Sequence, residues 1–98
     1  MRFWVKVYKT QEATVLAACD ENLLGKEFRE ENVVLKITET YYGGELVDAE
    51  RLKALVREAD IIGLVGEHAV NVAAELGYIA PGDEKRICNV PHVNIYKL

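Results

Sequence analysis

Hydrophobic and polar residues alternate with a period of two at the start of the chain. Phe3, Val5 and Val7 fall on one face, and Arg2, Trp4, Lys6 and Tyr8 on the other. That is the pattern of a strand with one buried side. Residues 9–12 are polar and turn-like, and residues 15–19 read as a second short strand, so residues 2–19 predict a hairpin. After the acidic, cap-like stretch Asp20-Glu21-Asn22, the apolar Leu23, Leu24 and Phe28 predict a helical turn or compact loop tucked inward, with a solvated connection over residues 29–32. Residues 33–42, rich in Val, Ile, Thr and Tyr, predict one further strand. Gly43 and Gly44 stop it, because residues without a Cβ reach positive φ at little cost.

A period near 3.6 takes over in the second half. Leu52, Leu55, Val56 and Ala59 recur at i, i+3, i+4 and i+7, with Glu50, Arg51, Lys53, Arg57 and Glu58 opposite. This predicts a helix from Ala49 to about Ala59 with Asp48 as its N-cap. Residues 61–65, Ile-Ile-Gly-Leu-Val, fit a buried strand or a join between helices, and β-branched content favours the strand. A second helix opens at Gly66 and ends at Gly77, a natural residue just past a helix C-terminus. Its polar arc, Glu67, His68, Asn71 and Glu75, is narrow, and Ala69, Val70, Val72, Ala73, Ala74 and Leu76 fill most of the remainder. So much apolar surface exceeds what one sheet covers, which predicts a central helix or an interface between chains. Pro81-Gly82 breaks the chain. Residues 85–90 read as a strand interrupted by Pro91, and residues 92–96 alternate as a closing strand with His92, Asn94 and Tyr96 on one face. The elements sum to a single α+β domain over residues 1–98, a two-layer sandwich of a mainly antiparallel sheet with two helices.

Composition narrows the class. The chain has 98 residues, 50% of them hydrophobic and 29% charged, with a net charge of -4. That balance suits one globular core and argues against a surface devoted to nucleic acid, whose phosphates need clustered cations. No apolar run reaches membrane-spanning length and the N-terminus has no signal-peptide layout, so the expectation is a cytoplasmic protein whose mature form begins at Met1. Two cysteines, Cys19 and Cys88, are too few for a disulfide framework and predict reduced thiols.

Four segments, Phe3-Trp4-Val5-Lys6, the Cys19-Asp20-Glu21 to Leu24-Gly25-Lys26 stretch, Tyr42-Gly43-Gly44-Glu45-Leu46-Val47 and Val65-Gly66-Glu67 with Val70, are followed by Val90-Pro91-His92. Together they resemble a small archaeal family catalogued as a domain of unknown function, number 424 in its series, over nearly the whole chain. The resemblance implies an archaeal cytosolic protein of this length with an α+β fold and no established activity. It supplies no catalytic residues to carry over.

Several constellations bear on chemistry. Cys88 and His92 have a C-x₃-H spacing, but Cys19 and His68 stand alone, whereas structural zinc sites draw on two close pairs. No metal or cofactor is therefore expected. Cys19 beside Asp20 is a poor nucleophile even with His68 as its base, since an adjacent carboxylate raises a thiol pKa. No carboxylate pair stands apart in an apolar setting, so no catalytic residue is assigned. Gly63-Leu64-Val65-Gly66 resembles the Gly-x-x-Gly loop with which K-homology domains clamp single-stranded nucleic acid, although Leu, Val, Glu67 and His68 stand where polar or basic residues belong. Arg2, Trp4, Lys6 and Tyr8, with Tyr41, Tyr42, Tyr96 and Lys97 near them, form an aromatic and basic set of the kind that reads RNA from a sheet. Gly43 and Gly44 offer N–H groups to an anion, opposed by Glu45.

The resulting expectation is a non-enzymatic binding module that works through a protein partner or self-association. Its candidate residues are Trp4, Lys6, Tyr8, Tyr41, Tyr42, Gly43, Gly44, Gly63, Gly66, His68 and His92. The alternatives are an RNA- or ribosome-associated accessory protein and a small metal-binding or Cys/His enzyme. No small-molecule substrate is indicated.

Overall fold

The computed structural model describes residues 1–98 throughout. Strands β1 (Arg2–Lys9) and β2 (Thr14–Asp20) form the expected hairpin, with Trp4 opposite Cys19. Thr10 closes its turn, the Oγ1 accepting from the N–H groups of Glu12 and Ala13 at 3.2 and 3.0 Å. A short strand β5 (Glu45–Asp48) flanks β1, and β6 (Ile61–Val65) lies parallel to β2. The strand β8 (Val90–Tyr96) runs antiparallel to β6 and carries β7 (Lys85–Ile87) on its far side. The six-stranded order is β5-β1-β2-β6-β8-β7, and β2–β6 is its one parallel pair. A separate hairpin, β3 (Glu27–Glu30) and β4 (Val33–Lys36), stands off this sheet.

Period-two alternation divides the sheet's side chains between two cores. On one face, helices α2 (Ala49–Glu58) and α3 (Glu67–Glu75) bury Phe3, Leu16, Ile62 and Leu64 against Leu52, Val56, Ala69 and Ala73. Asp48 caps α2, its Oδ1 accepting the Arg51 N–H at 2.9 Å, which meets an otherwise unpaired helix-end donor. At the other end, the Lys97 ammonium donates to the carbonyls of Val56 and Arg57 at 2.7 and 2.8 Å. On the opposite face a smaller cluster, Ala17, Cys19, Leu23, Ile37, Tyr42 and Val65, lies beneath the β3–β4 hairpin and a four-residue helix α1 (Glu39–Tyr42). The protein is thus an α+β fold with a mainly antiparallel sheet and its two long helices on one side.

Three sequence expectations change. Residues 33–42 are not one strand: β4 ends at Lys36, and Thr38 caps α1 by accepting the Tyr41 N–H at 3.2 Å. A side-chain cap here outweighed the strand propensity of the tyrosines. Phe28 and the expected solvated residues Arg29 and Glu30 lie within β3 rather than in a loop. Residues 85–90 break at Cys88-Asn89, which take φ of 50° and 65°. Positive φ at both central residues is what a two-residue type I′ hairpin connection requires, and Pro91 is the second residue of β8, just past that turn. Of the two alternatives for α3, the structure shows the central one: Ala69, Val70, Val72 and Ala73 are buried within their own chain, touching α2, β2, β6 and β8. Small side chains let the sheet and a neighbouring helix approach closely there.

Candidate functional site

Two surfaces hold unengaged chemistry. The first lies at the carboxyl ends of the parallel pair. β2 finishes at Asp20, and β6 finishes at Val65 before Gly66 turns the chain into α3 with φ of 112°. Gly66 occupies the N-cap position and has no side chain to offer, so the first N–H groups of α3 need an outside acceptor. Asp20 supplies it. Its carboxylate is 5% exposed and accepts the N–H groups of His68 at 3.1 Å and Ala69 at 2.8 Å. A Cβ at position 66 would run into that carboxylate, so glycine is needed both for φ and for space.

Around this junction lies a cleft of about 510 Å³, lined by the apolar Met1, Leu23, Val90 and Pro91 and by the polar Arg2, Glu21, Asn22, Glu67, His68 and Asn89. Its charges are matched internally. The Arg2 guanidinium donates to Glu21 through Nε at 3.2 Å and Nη2 at 2.8 Å. Arg86 donates to Glu67 at 2.6 Å and to the Asn89 carbonyl at 3.2 Å. The Arg86 hydrogen bond holds the Glu67 carboxyl below its ordinary range, and the same bond raises the guanidinium.

The second surface is on the hairpin-covered face of the sheet. Cross-strand pairing sets Tyr8, Val15, Ile61 and Tyr96 in one row across four strands. The β3–β4 hairpin and α1 cover the neighbouring rows but leave this one open: Val15 and Ile61 are half-buried, and Tyr96 is 65% exposed. Tyr41 reaches from α1 and stacks on Tyr8 with ring centroids 5.5 Å apart, itself 45% exposed. The Tyr8 hydroxyl donates to the Tyr41 carbonyl at 2.8 Å, and burial, then Tyr41, raises its phenol. The Lys6 ammonium donates to the Thr40 carbonyl at 2.8 Å. Tyr41 also packs edge-on to the buried Tyr42, whose hydroxyl is pushed up to about 12 by burial first and by Tyr41 next.

The structure therefore brings Lys6, Tyr8, Tyr41 and Tyr42 together, with Gly44 pressed against the Val5 carbonyl and Gly43 against Glu39. These two glycines are packing positions. Trp4 joins the buried cluster under the hairpin instead of presenting a stacking face. The Gly-x-x-Gly stretch is not a loop between helices: Gly63 sits mid-strand in β6 facing Asn94, and only Gly66 reaches the cleft. His68 lines the cleft, whereas His92 lies half-buried on β8, its pKa lowered by burial and then by Lys85. Cys19 is buried, its thiol pushed up to about 12 by burial and then by Asp20, while Cys88 is exposed and its Sγ donates to the Arg29 carbonyl at 3.0 Å. Sequence reasoning missed Asp20, Asn22 and Asn89 as site residues, and placed Tyr96 near the aromatic set without its partners Val15 and Ile61. The signal for Asp20 was the helix that opens on glycine without a cap of its own.

Comparison with known proteins locates the chain without assigning it work. A family model described as "Protein of unknown function (DUF424)" matches residues 8–98. A crystal structure of an uncharacterized conserved protein from Methanopyrus kandleri is similar at a TM-score of 0.84 and 30% identity, over 100% of this chain and 93% of that one. No curated protein matches.

Proposed function

The chain belongs to the family of proteins of unknown function DUF424, and from that premise we propose that it is a non-enzymatic, cytoplasmic binding module acting through a protein partner. The observation that carries this reading is the open row Tyr8–Val15–Ile61–Tyr96 with Tyr41 beside it. The exposed Tyr96 and Tyr41 and the half-buried Tyr8 around half-buried aliphatic residues match the centre of protein interfaces, which is rich in aromatics and poor in charge. The row is small against the roughly 800 Å² per partner of a stable interface. It therefore suits a larger protein that wraps it, in preference to a self-paired dimer.

The alternative, an RNA- or ribosome-associated accessory role, draws on the same tyrosines as stacking platforms. Charge weighs against it. Lys6, the one cation in the adjoining row, lies 5.7 Å from the Tyr8 ring and donates to the Thr40 carbonyl, and one cation is few for a contact whose strength grows with the number of phosphates met.

A photo-crosslinking residue at position 96, with a second placed at Asn71 on the exposed side of α3, tests the proposal in native cells. The expected result is a protein adduct specific to position 96, insensitive to nuclease, whose purified partner then binds the full chain. Adducts lost on nuclease treatment, or equal at both positions, would overturn it.

A further inference from the structure

We propose that the cleft between β2, α3 and the Cys88-Asn89 turn binds an uncharged planar heterocycle, a nucleobase free or carried by a nucleoside. This site is distinct from the tyrosine row and does not depend on it. Size comes first: about 510 Å³ falls within the range of small-molecule sites, roughly 300–1,000 Å³. The apolar part of its lining is Met1, Leu23, Val90 and Pro91, with Pro91 among the most deeply buried side chains. A flat ring gains contact there without stranding a polar group.

Charge then selects against ions. The α3 N-terminus, ordinarily attractive to phosphate, is already filled by the Asp20 carboxylate, with bonds of 2.8 and 3.1 Å. Glu21 and Glu67 are held by Arg2 and Arg86 at 2.8 and 2.6 Å. An anion meets Asp20, and a cation must displace an arginine. What remains is a set of side chains with no hydrogen-bond partner in the protein: the Asn22 amide, the His68 imidazole and the Asn89 amide. A primary amide presents a donor and an acceptor side by side, which matches the edge of a base, and an imidazole adds a further bond or a stacking face. Asn89 lines the cleft from the type I′ turn, where its φ is 65°.

The test is a titration of the isotopically labelled full chain with adenosine, guanosine, cytidine and uridine, followed through backbone amide resonances. At least one nucleoside should shift the amides of Asn22, Gly66, His68 and Asn89, with a dissociation constant of about 0.1–1 mM. His68→Ala and Asn89→Gly should each weaken it about fivefold, the effect of one hydrogen bond; glycine at 89 keeps the positive φ. The nucleoside monophosphate should bind no better than the nucleoside, and inorganic phosphate should leave these amides unmoved. An oligoribonucleotide that shifts the same amides more strongly than any nucleoside would, like a tighter monophosphate, show that phosphate is what the cleft reads and would overturn the proposal. Silence toward all four nucleosides up to about 10 mM, tighter binding of the monophosphate, or indifference to both substitutions would overturn the proposal.

Discussion

The two faces of the central sheet solve the same problem to different extents. On the helix side the rows are closed except at Val7, which is 39% exposed: Phe3, Leu16, Leu52, Val56, Ile62 and Leu64 are all at most 1% exposed. On the other side a four-stranded sheet surface is roofed by a two-stranded hairpin and one short helix. That roof covers Cys19 and Val65 but stops short of Val15, Ile61 and Tyr96. The closed face carries the stability, and the half-open face is where surface remains for a partner. Buried area and available surface are traded on one scaffold.

Neighbouring residues on β6 offer the sharpest way to break that comparison. Ile62 points into the closed core and Ile61 onto the open row. Ile62→Ala should cost about 3–4 kcal/mol of unfolding free energy and Ile61→Ala about 1 kcal/mol, read from urea midpoints at a common m-value. Equal losses would mean that the two faces are equally packed. Next in size is Asp20→Ala, which strands two N–H groups at the head of α3 and should cost about 2 kcal/mol, with exchange of the His68 and Ala69 amides speeded selectively. A loss spread evenly over the chain would contradict the cap.

Smaller still is the cysteine contrast. With its thiol pushed up to about 12 inside the covered part of the roofed face, Cys19 should resist alkylation in the native protein, while the exposed Cys88 reacts. One adduct per folded chain and two after denaturation, read by mass spectrometry, would agree; labelling of native Cys19 would show that the roof opens. The smallest effect concerns His92. Its pKa lies below the ordinary 6.5 because burial, then Lys85, disfavours the imidazolium. The folded state therefore binds protons less readily than the unfolded one, so this contribution is present above about pH 6.5 and is lost as pH falls below it. His92→Gln should flatten the decline of melting temperature between pH 7 and 5.

How much of this was legible in the sequence depended on whether the deciding contact was local. The alternation of residues 2–8, the i, i+3, i+4 pattern of α2 and the Asp48 cap are short-range, and each took the expected form. The 33–42 segment failed because a single hydroxyl, that of Thr38, redirected a strand-prone run into a helical turn. The enclosure of α3 could not be read from its own periodicity, since it depends on how closely α2 and the sheet approach alanines. The cleft depends on Asp20 reaching helix donors 48 and 49 positions away, and the tyrosine row on the register of four strands. Tyr41 and Tyr8 carried an aromatic signature in sequence. Tyr96 shared that signature, and its pairing opposite Ile61 set its place in the row.

The most direct test of the central claim is the affinity of the captured protein partner for Tyr96→Glu, measured beside its melting temperature and beside Asn71→Arg on the helix side. The account predicts that Tyr96→Glu weakens binding at least about tenfold, roughly 1.4 kcal/mol, at an unchanged melting temperature, while Asn71→Arg does neither. Full affinity in Tyr96→Glu, or a loss produced by Asn71→Arg instead, would contradict it.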